Sequence, residues 1–233
     1  MPPYSPLARR YEAKLFNLTG LPDLSEEAIN IFWELRHLTP IKDGPSDSGL
    51  EPDGASFLAA VERLERRITK LLRLGCLDVP NEDSLIYKLF GSAALIHIII
   101  LLRQIPYPLS MLPFCNLFSI QIRTLLETTN LQALQIKYPE MILWTLMLGG
   151  IGGVRTPNQA WCANLLVDAC IVSGVRTRTE IALSLAEFLW TDLYLGPFSM
   201  GFWNKFGAAQ IARDRDRNPG PGRDLVVRVQ ESP

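Results

Sequence analysis

The chain has 233 residues, 48% of them hydrophobic and 20% charged, which is ample apolar material for a single sizeable core. Its 23 Lys and Arg against 24 Asp and Glu leave a net charge of -1, so no general field draws the chain toward polyphosphate and nucleic-acid binding gains no support from charge. Cys76, Cys115, Cys162 and Cys170 are too scattered for zinc-ligand pairs and, with no signal peptide at the start, are expected to be reduced, buried thiols of an intracellular protein.

Residues 1–23, opening MPPYSP, form an N-terminal segment expected to be partly disordered. A helical domain then spans 24–211. Ser25 is a natural N-cap, Glu26 and Glu27 occupy the first turn, and Ala28, Ile31, Phe32, Leu35 and Leu38 recur at helical spacing up to a stop before Pro40. PIKDGPSDSGLEPDG, residues 40–54, has the Pro, Gly and acidic content of a mobile surface loop. Phe57, Val61, Leu64, Ile68, Leu71 and Leu72 mark a second helix, with Gly75 placed to end it in a left-handed conformation. Its other face carries Arg63, Arg66, Arg67, Lys70 and Arg73, read as a solvated face in preference to a phosphate or acidic-partner patch.

Residues 83–104 predict a third helix, apolar nearly all round. Within it LFGSAALIHIIILL, residues 89–102, is shorter than a membrane span and reads as a buried core helix, closed by Pro106 and Pro108. PFCNLFSIQIRTLLETTNLQALQIKY supports one or two helices: Leu117, Ile120 and Leu125 suit a helix, and Thr128, Thr129 and Asn130 suit a break. Pro139 with Glu140 starts another helix, and Thr156 with Pro157 repeats that signal. Thr177 and Glu180 form a capping box for a final long helix through Leu189. Residues 212–233 mix charges with Pro and Gly and are expected to be a disordered charged tail, with strand alternation only in DLVVRV. The fold class is all-α, an irregular bundle of about seven to nine helices.

Chemical motifs are scarce. LWTLMLGGIGG, residues 143–153, could be a phosphate-cradling turn or a helix whose glycines admit a neighbour. Counting from Gly150, the third glycine of a dinucleotide fingerprint falls on Arg155, and Val154, Arg155 and Thr156 do not supply a phosphate-loop ending, so helix packing is the reading. Trp144 and Trp161 would brace the glycines from both sides, and all five tryptophans are expected in the core. Glu34 and His37 give one Glu-x-x-His, but His97 has Ala94 where its glutamate should be, which excludes a di-iron site. His37 is placed near a helix C-terminus; His97 reads as a core histidine satisfied by a neighbour. No nucleophile motif is present, so no catalytic residue, cofactor or metal is proposed.

PEMILWTLMLGGIGG, then AWCANLL, then LAEFLWTDLYLGPFSMGFWNKF resemble the C-terminal half of the fungal-specific transcription factor domain, the helical regulatory region of fungal zinc binuclear cluster regulators. The positions carrying the resemblance are Leu143, Trp144, Gly149, Gly150, Trp161, Phe188, Leu189, Trp190 and Trp203. It covers residues 83–206, and residues 24–75 in helical character only. The six close cysteines of that family's DNA-binding cluster are not in this chain. The resemblance implies a nuclear domain that acts through protein partners, such as transcription machinery or a second copy, or through a small-molecule effector. With that cluster missing and the longest apolar stretch too short for a span, neither direct nucleic-acid contact nor membrane contact is expected of this chain. Two other readings stay open: a cytoplasmic module whose apolar helices around His97 enclose a hydrophobic small molecule, and a helical enzyme acting on an isoprenoid. The aspartate-rich motif of such an enzyme is absent, Asp214 and Asp216 falling in the expected tail.

Overall fold

A computed structural model describes residues 26–43, 54–77, 82–103, 112–186 and 188–217. Among these residues the chain is all-α, with nine α-helices and no strand. They are α1 Glu26–Asp43, α2 Gly54–Leu77, α3 Glu82–His97, α4 Leu112–Glu127, α5 Leu131–Lys137, α6 Pro139–Gly152, α7 Pro157–Ser173, α8 Arg178–Ala186 and α9 Met200–Arg217. The parts of the expected N-terminal segment, surface loop, closing prolines and terminal strand that fall on other residues lie outside this description.

The centre of the bundle is α6. Every residue from Met141 to Gly152 is buried, because α3, α4, α5, α7, α8 and α9 all pack against it. A helix enclosed on all sides has no use for a polar face, and its sequence supplies none. Pro139 occupies the first turn, where its missing N–H costs no hydrogen bond. The α3 window is equally enclosed: Leu85–Leu102 is long and apolar enough to cross a membrane, but 78% of it is buried inside the protein, as expected for a core helix. After His97 the backbone passes into one π turn, Ile98–Leu102, closed by Arg103 N–H donating to the Ile98 carbonyl at 3.1 Å.

Local start signals held. The break before α5 falls at Thr128–Asn130, and the Asn130 side chain accepts from the Ala133 N–H at 3.2 Å. The capping box is closed both ways: Glu180 N–H donates to Thr177 Oγ1 at 3.1 Å, and Thr177 N–H donates to the Glu180 carboxylate at 2.9 Å. Backbone donation from Arg176 and Thr177 holds that carboxyl below its usual range.

Several helix extents differ from expectation. Pro40 does not stop α1, which runs on to Asp43. Proline this near a helix end forfeits a single backbone bond, and buried Leu38 and Thr39 tie the turn into the core, Thr39 Oγ donating to the Leu35 carbonyl at 2.8 Å. Likewise α2 continues through Gly75 to Leu77. Glycine permits the left-handed conformation without imposing it. That cap belongs instead to Gly174 (φ 72), where Val175 N–H reaches back to the Cys170 carbonyl at 2.9 Å. On α4 the buried face is Cys115, Ser119, Ile122 and Leu126, while Leu117 and Ile120 point outward.

The largest correction is at the C-terminal end. α8 stops at Ala186, short of Leu189, because Phe188 and Leu189 turn into the core; two 3-10 turns, Asp192–Leu195 and Pro197–Ser199, then lead to the 18-residue α9. Residues 212–217, with Asp214 and Asp216, therefore belong to a helix and not to a disordered tail. Arg213 forms a two-pronged ion pair with Asp168 on α7, both contacts at 2.8 Å. Both side chains are about two-fifths exposed, so solvent screens the pair. Arg213→Ala is expected to speed amide hydrogen exchange over the last turn of α9 while lowering global stability by less than about 1 kcal/mol.

Candidate functional site

Gly149, Gly150, Gly152 and Gly153 lie where neighbouring elements press on the end of α6. A Cβ on Gly150 would fall 2.1 and 2.3 Å from two ring carbons of Phe202 on α9. One on Gly149 would meet Cys162 Sγ at 3.2 Å, one on Gly152 would meet Ile96 at 3.0 Å, and one on Gly153 would meet Ser119 Oγ at 2.7 Å. The glycines therefore serve helix approach, as the sequence suggests. Their nearest neighbours are not Trp144 and Trp161, which corrects the expected bracing. Trp144 instead faces Phe90, Phe188 and His97, with ring centroids 6.0, 5.6 and 6.1 Å away.

The positions that carry the resemblance divide in two. Leu143, Trp144, Gly149, Gly150, Phe188, Leu189 and Trp203 are buried. Trp161 and Trp190 are only partly buried, Trp161 with the Arg123 guanidinium 5.5 Å over its ring and Trp190 edge-on to Tyr194 at 5.4 Å. Trp33 departs further from core packing: it is 44% exposed, with Arg36 5.4 Å over its ring.

His97 is the centre of a buried polar relay. It is fully buried and satisfied by neighbours, as expected; the neighbours are Thr39 on α1 and Tyr194 in the first 3-10 turn. Because the Thr39 hydroxyl proton goes to the Leu35 carbonyl, Thr39 Oγ1 accepts from Nε2–H of the imidazole at 3.0 Å. That leaves Nδ1 as the acceptor for the Tyr194 hydroxyl. The Tyr194 carbonyl in turn accepts from Ser199 Oγ–H and from Trp203 Nε1–H, the latter at 2.7 Å. The relay thus joins α1, α3, both 3-10 turns and α9. Burial pushes the His97 pKa down to about 3, so the ring is neutral near pH 7 and a poor general base.

The remaining candidates have structural partners. Glu34 is paired with Arg67, and His37 is exposed. Arg67 also holds Glu27 at 2.7 Å, and this hydrogen bond keeps the Glu27 carboxyl below its usual range. Of the basic face on α2, Arg63, Arg66, Lys70 and Arg73 are exposed, in line with a solvated face. Arg66, Lys70 and Arg73 share a cleft of about 470 Å³ with Glu62, Glu65 and Arg103, and Arg103 is bound to Glu65. Cys115, Cys162 and Cys170 are free and buried, and burial pushes their thiols up to about 11, 12 and 12, which leaves them protonated and unreactive. The Cys76 side chain lies outside the described residues. Among the described residues no group of three or more His, Cys, Asp or Glu is placed to hold a metal.

A second cleft, of about 650 Å³, opens between the α6–α7 turn and the start of α9. The turn contributes Arg155 and Thr156, α7 contributes Gln159, and α9 contributes Gly201 and Lys205. Arg155 has φ 60, a left-handed conformation unusual for a residue with a long side chain. In the sequence this turn registers only as the Thr156–Pro157 helix start and a failed phosphate-loop ending. The available signal was Arg-Thr-Pro followed by Gln159 one turn inside a helix, but Lys205 joins them only through the fold.

Compared with known protein families, with curated proteins and with solved structures, the chain matches none.

Proposed function

We propose that the chain is a transcription-regulator-like helical domain that works in the nucleus through protein contacts or effector sensing. What supports the reading is the arrangement around α6. Leu143, Trp144, Gly149 and Gly150 lie on one enclosed helix, with Trp161 on the next helix, while Phe188, Leu189 and Trp203 close the same core from the C-terminal side. An all-α bundle whose central helix is gripped through glycines changes its packing in discrete steps, because a close-packed core is not continuously deformable. An effector or partner that favours one packing of α7 and α9 on α6 would alter the outer surface accordingly. DNA contact is assigned elsewhere, since the four cysteines of this chain cannot make a six-cysteine cluster.

Tethering tests the proposal. Fused to an unrelated DNA-binding domain in a fungal cell, the chain is expected to raise or lower transcription of a reporter carrying the cognate site. No change relative to the tether alone, with the fusion present in the nucleus, would refute it.

A further inference from the structure

We propose that the cleft between the α6–α7 turn and α9 binds a small organic anion, a phosphate ester or carboxylate attached to an apolar body. The proposal rests on the chemistry of the cleft and does not depend on the regulatory reading.

The side chain that points to a ligand is Gln159. It is only 4% exposed, it lines the cleft, and it has no side-chain hydrogen bond among the described residues. Its amide nitrogen and oxygen lie 3.7 and 3.8 Å from where a Cβ on Gly201 would be, and Gly201 lines the same cleft. Its amide atoms are not among the buried polar atoms left without a partner, so they reach the cleft itself, where an oxyanion would accept from the NH₂ group.

The electrostatics around Gln159 favour the same occupant. α7 is 17 residues long, and its N-terminus carries the positive end of the helix dipole. Thr156, at the cap position, makes no capping bond; its hydroxyl donates back to the Gly153 carbonyl at 2.8 Å. The helix end is thus left without the side-chain oxygen it ordinarily receives. Arg155 and Lys205 add two cations from separate elements, and no carboxylate lines the cleft. The α2 cleft differs here, because Glu62 and Glu65 oppose its cations. Val154, Pro157, Ala160 and Phe198 supply an apolar wall, and the volume suits a small ligand. A bare inorganic ion would leave that wall unused.

The test is titration of the ¹⁵N-labelled full chain with phenyl phosphate and, separately, inorganic phosphate, followed by NMR. Phenyl phosphate is expected to shift the Gln159 side-chain amide and the backbone amides of Gln159 and Ala160 saturably, and to bind about fivefold or more tighter than inorganic phosphate through contact with Phe198. R155G, which places glycine where φ is positive and so preserves the turn, should weaken binding about tenfold, as should K205Q. Q159L should abolish the shifts while leaving the thermal midpoint unchanged or higher, which separates a ligand-binding amide from a merely structural one. R73Q, in the other basic cleft, should change nothing. The proposal fails if shifts do not saturate, if they cluster at Arg66, Lys70 and Arg73, or if R155G and K205Q bind as the parent does. Equal affinity for the two probes would overturn the apolar body of the ligand.

Discussion

Gly150→Ala is expected to destabilise the protein by about 3 kcal/mol, the upper part of the range for inserting volume into a packed core. The added carbon would sit 2.1 Å from Phe202 Cε2 and 2.3 Å from Cδ2, inside a ring that cannot yield as a flexible chain end does. The gain in helix propensity, about 1 kcal/mol, offsets part of the cost. Gly149→Ala gives the same gain, but its nearest neighbours are Cys162 Sγ at 3.2 Å and Ile122 at 3.4 Å, so its net effect should be close to zero. Urea unfolding of both variants checks the contrast. Adding Phe202→Leu to Gly150→Ala should show a favourable coupling of about 1–2 kcal/mol, because the smaller side chain vacates the contested volume. Equal effects at 149 and 150 would mean that Phe202 does not fix the spacing of α6 and α9.

Acid is expected to weaken the fold well before its carboxylates protonate. His97 has a folded pKa near 3 through burial, against an unfolded value near 6.5, so between these limits the unfolded chain binds the extra proton. The contribution is complete above about pH 6.5 and is lost as pH falls below it, with a slope approaching about 1.4 kcal/mol per pH unit. From pH 6.5 to pH 5 the loss should be about 2 kcal/mol. The depressed carboxyls of Glu27 and Glu180 act in the same direction at lower pH, so this window isolates the histidine. His97→Gln, which keeps a donor and an acceptor but has no proton to gain, should flatten the profile. An unchanged slope in the variant would place the acid sensitivity elsewhere.

Both predictions turn on partners distant in sequence, which is also where sequence reading reached its limit. Helix starts were legible because their signals are local: Pro139, Pro157 and the Thr177–Glu180 box act within a single turn. Helix ends were less so. Nothing near Ala212 indicates that Arg213 will find Asp168, 45 residues away, and so carry α9 onward. That His97 would be satisfied was legible from its apolar setting, but Thr39 and Tyr194 lie 58 and 97 residues from it. Periodicity could not choose the buried face of α4 either, since apolar residues occupy both sides and the contacts with α3, α6 and α7 decide between them. The cleft at Gln159 was the least legible, because it needs a turn conformation at Arg155 and a lysine from α9, several elements further along the chain.

The fit of Phe202 onto Gly150 also dictates an order of assembly. On the ribosome α6 and α7 are made before α9, so their shared surface must wait, with an apolar trough uncovered, until the ring that fills it has been synthesised. In that interval the nascent chain carries the trough exposed, and a chaperone that shields it would have to release it for α9 to close the bundle.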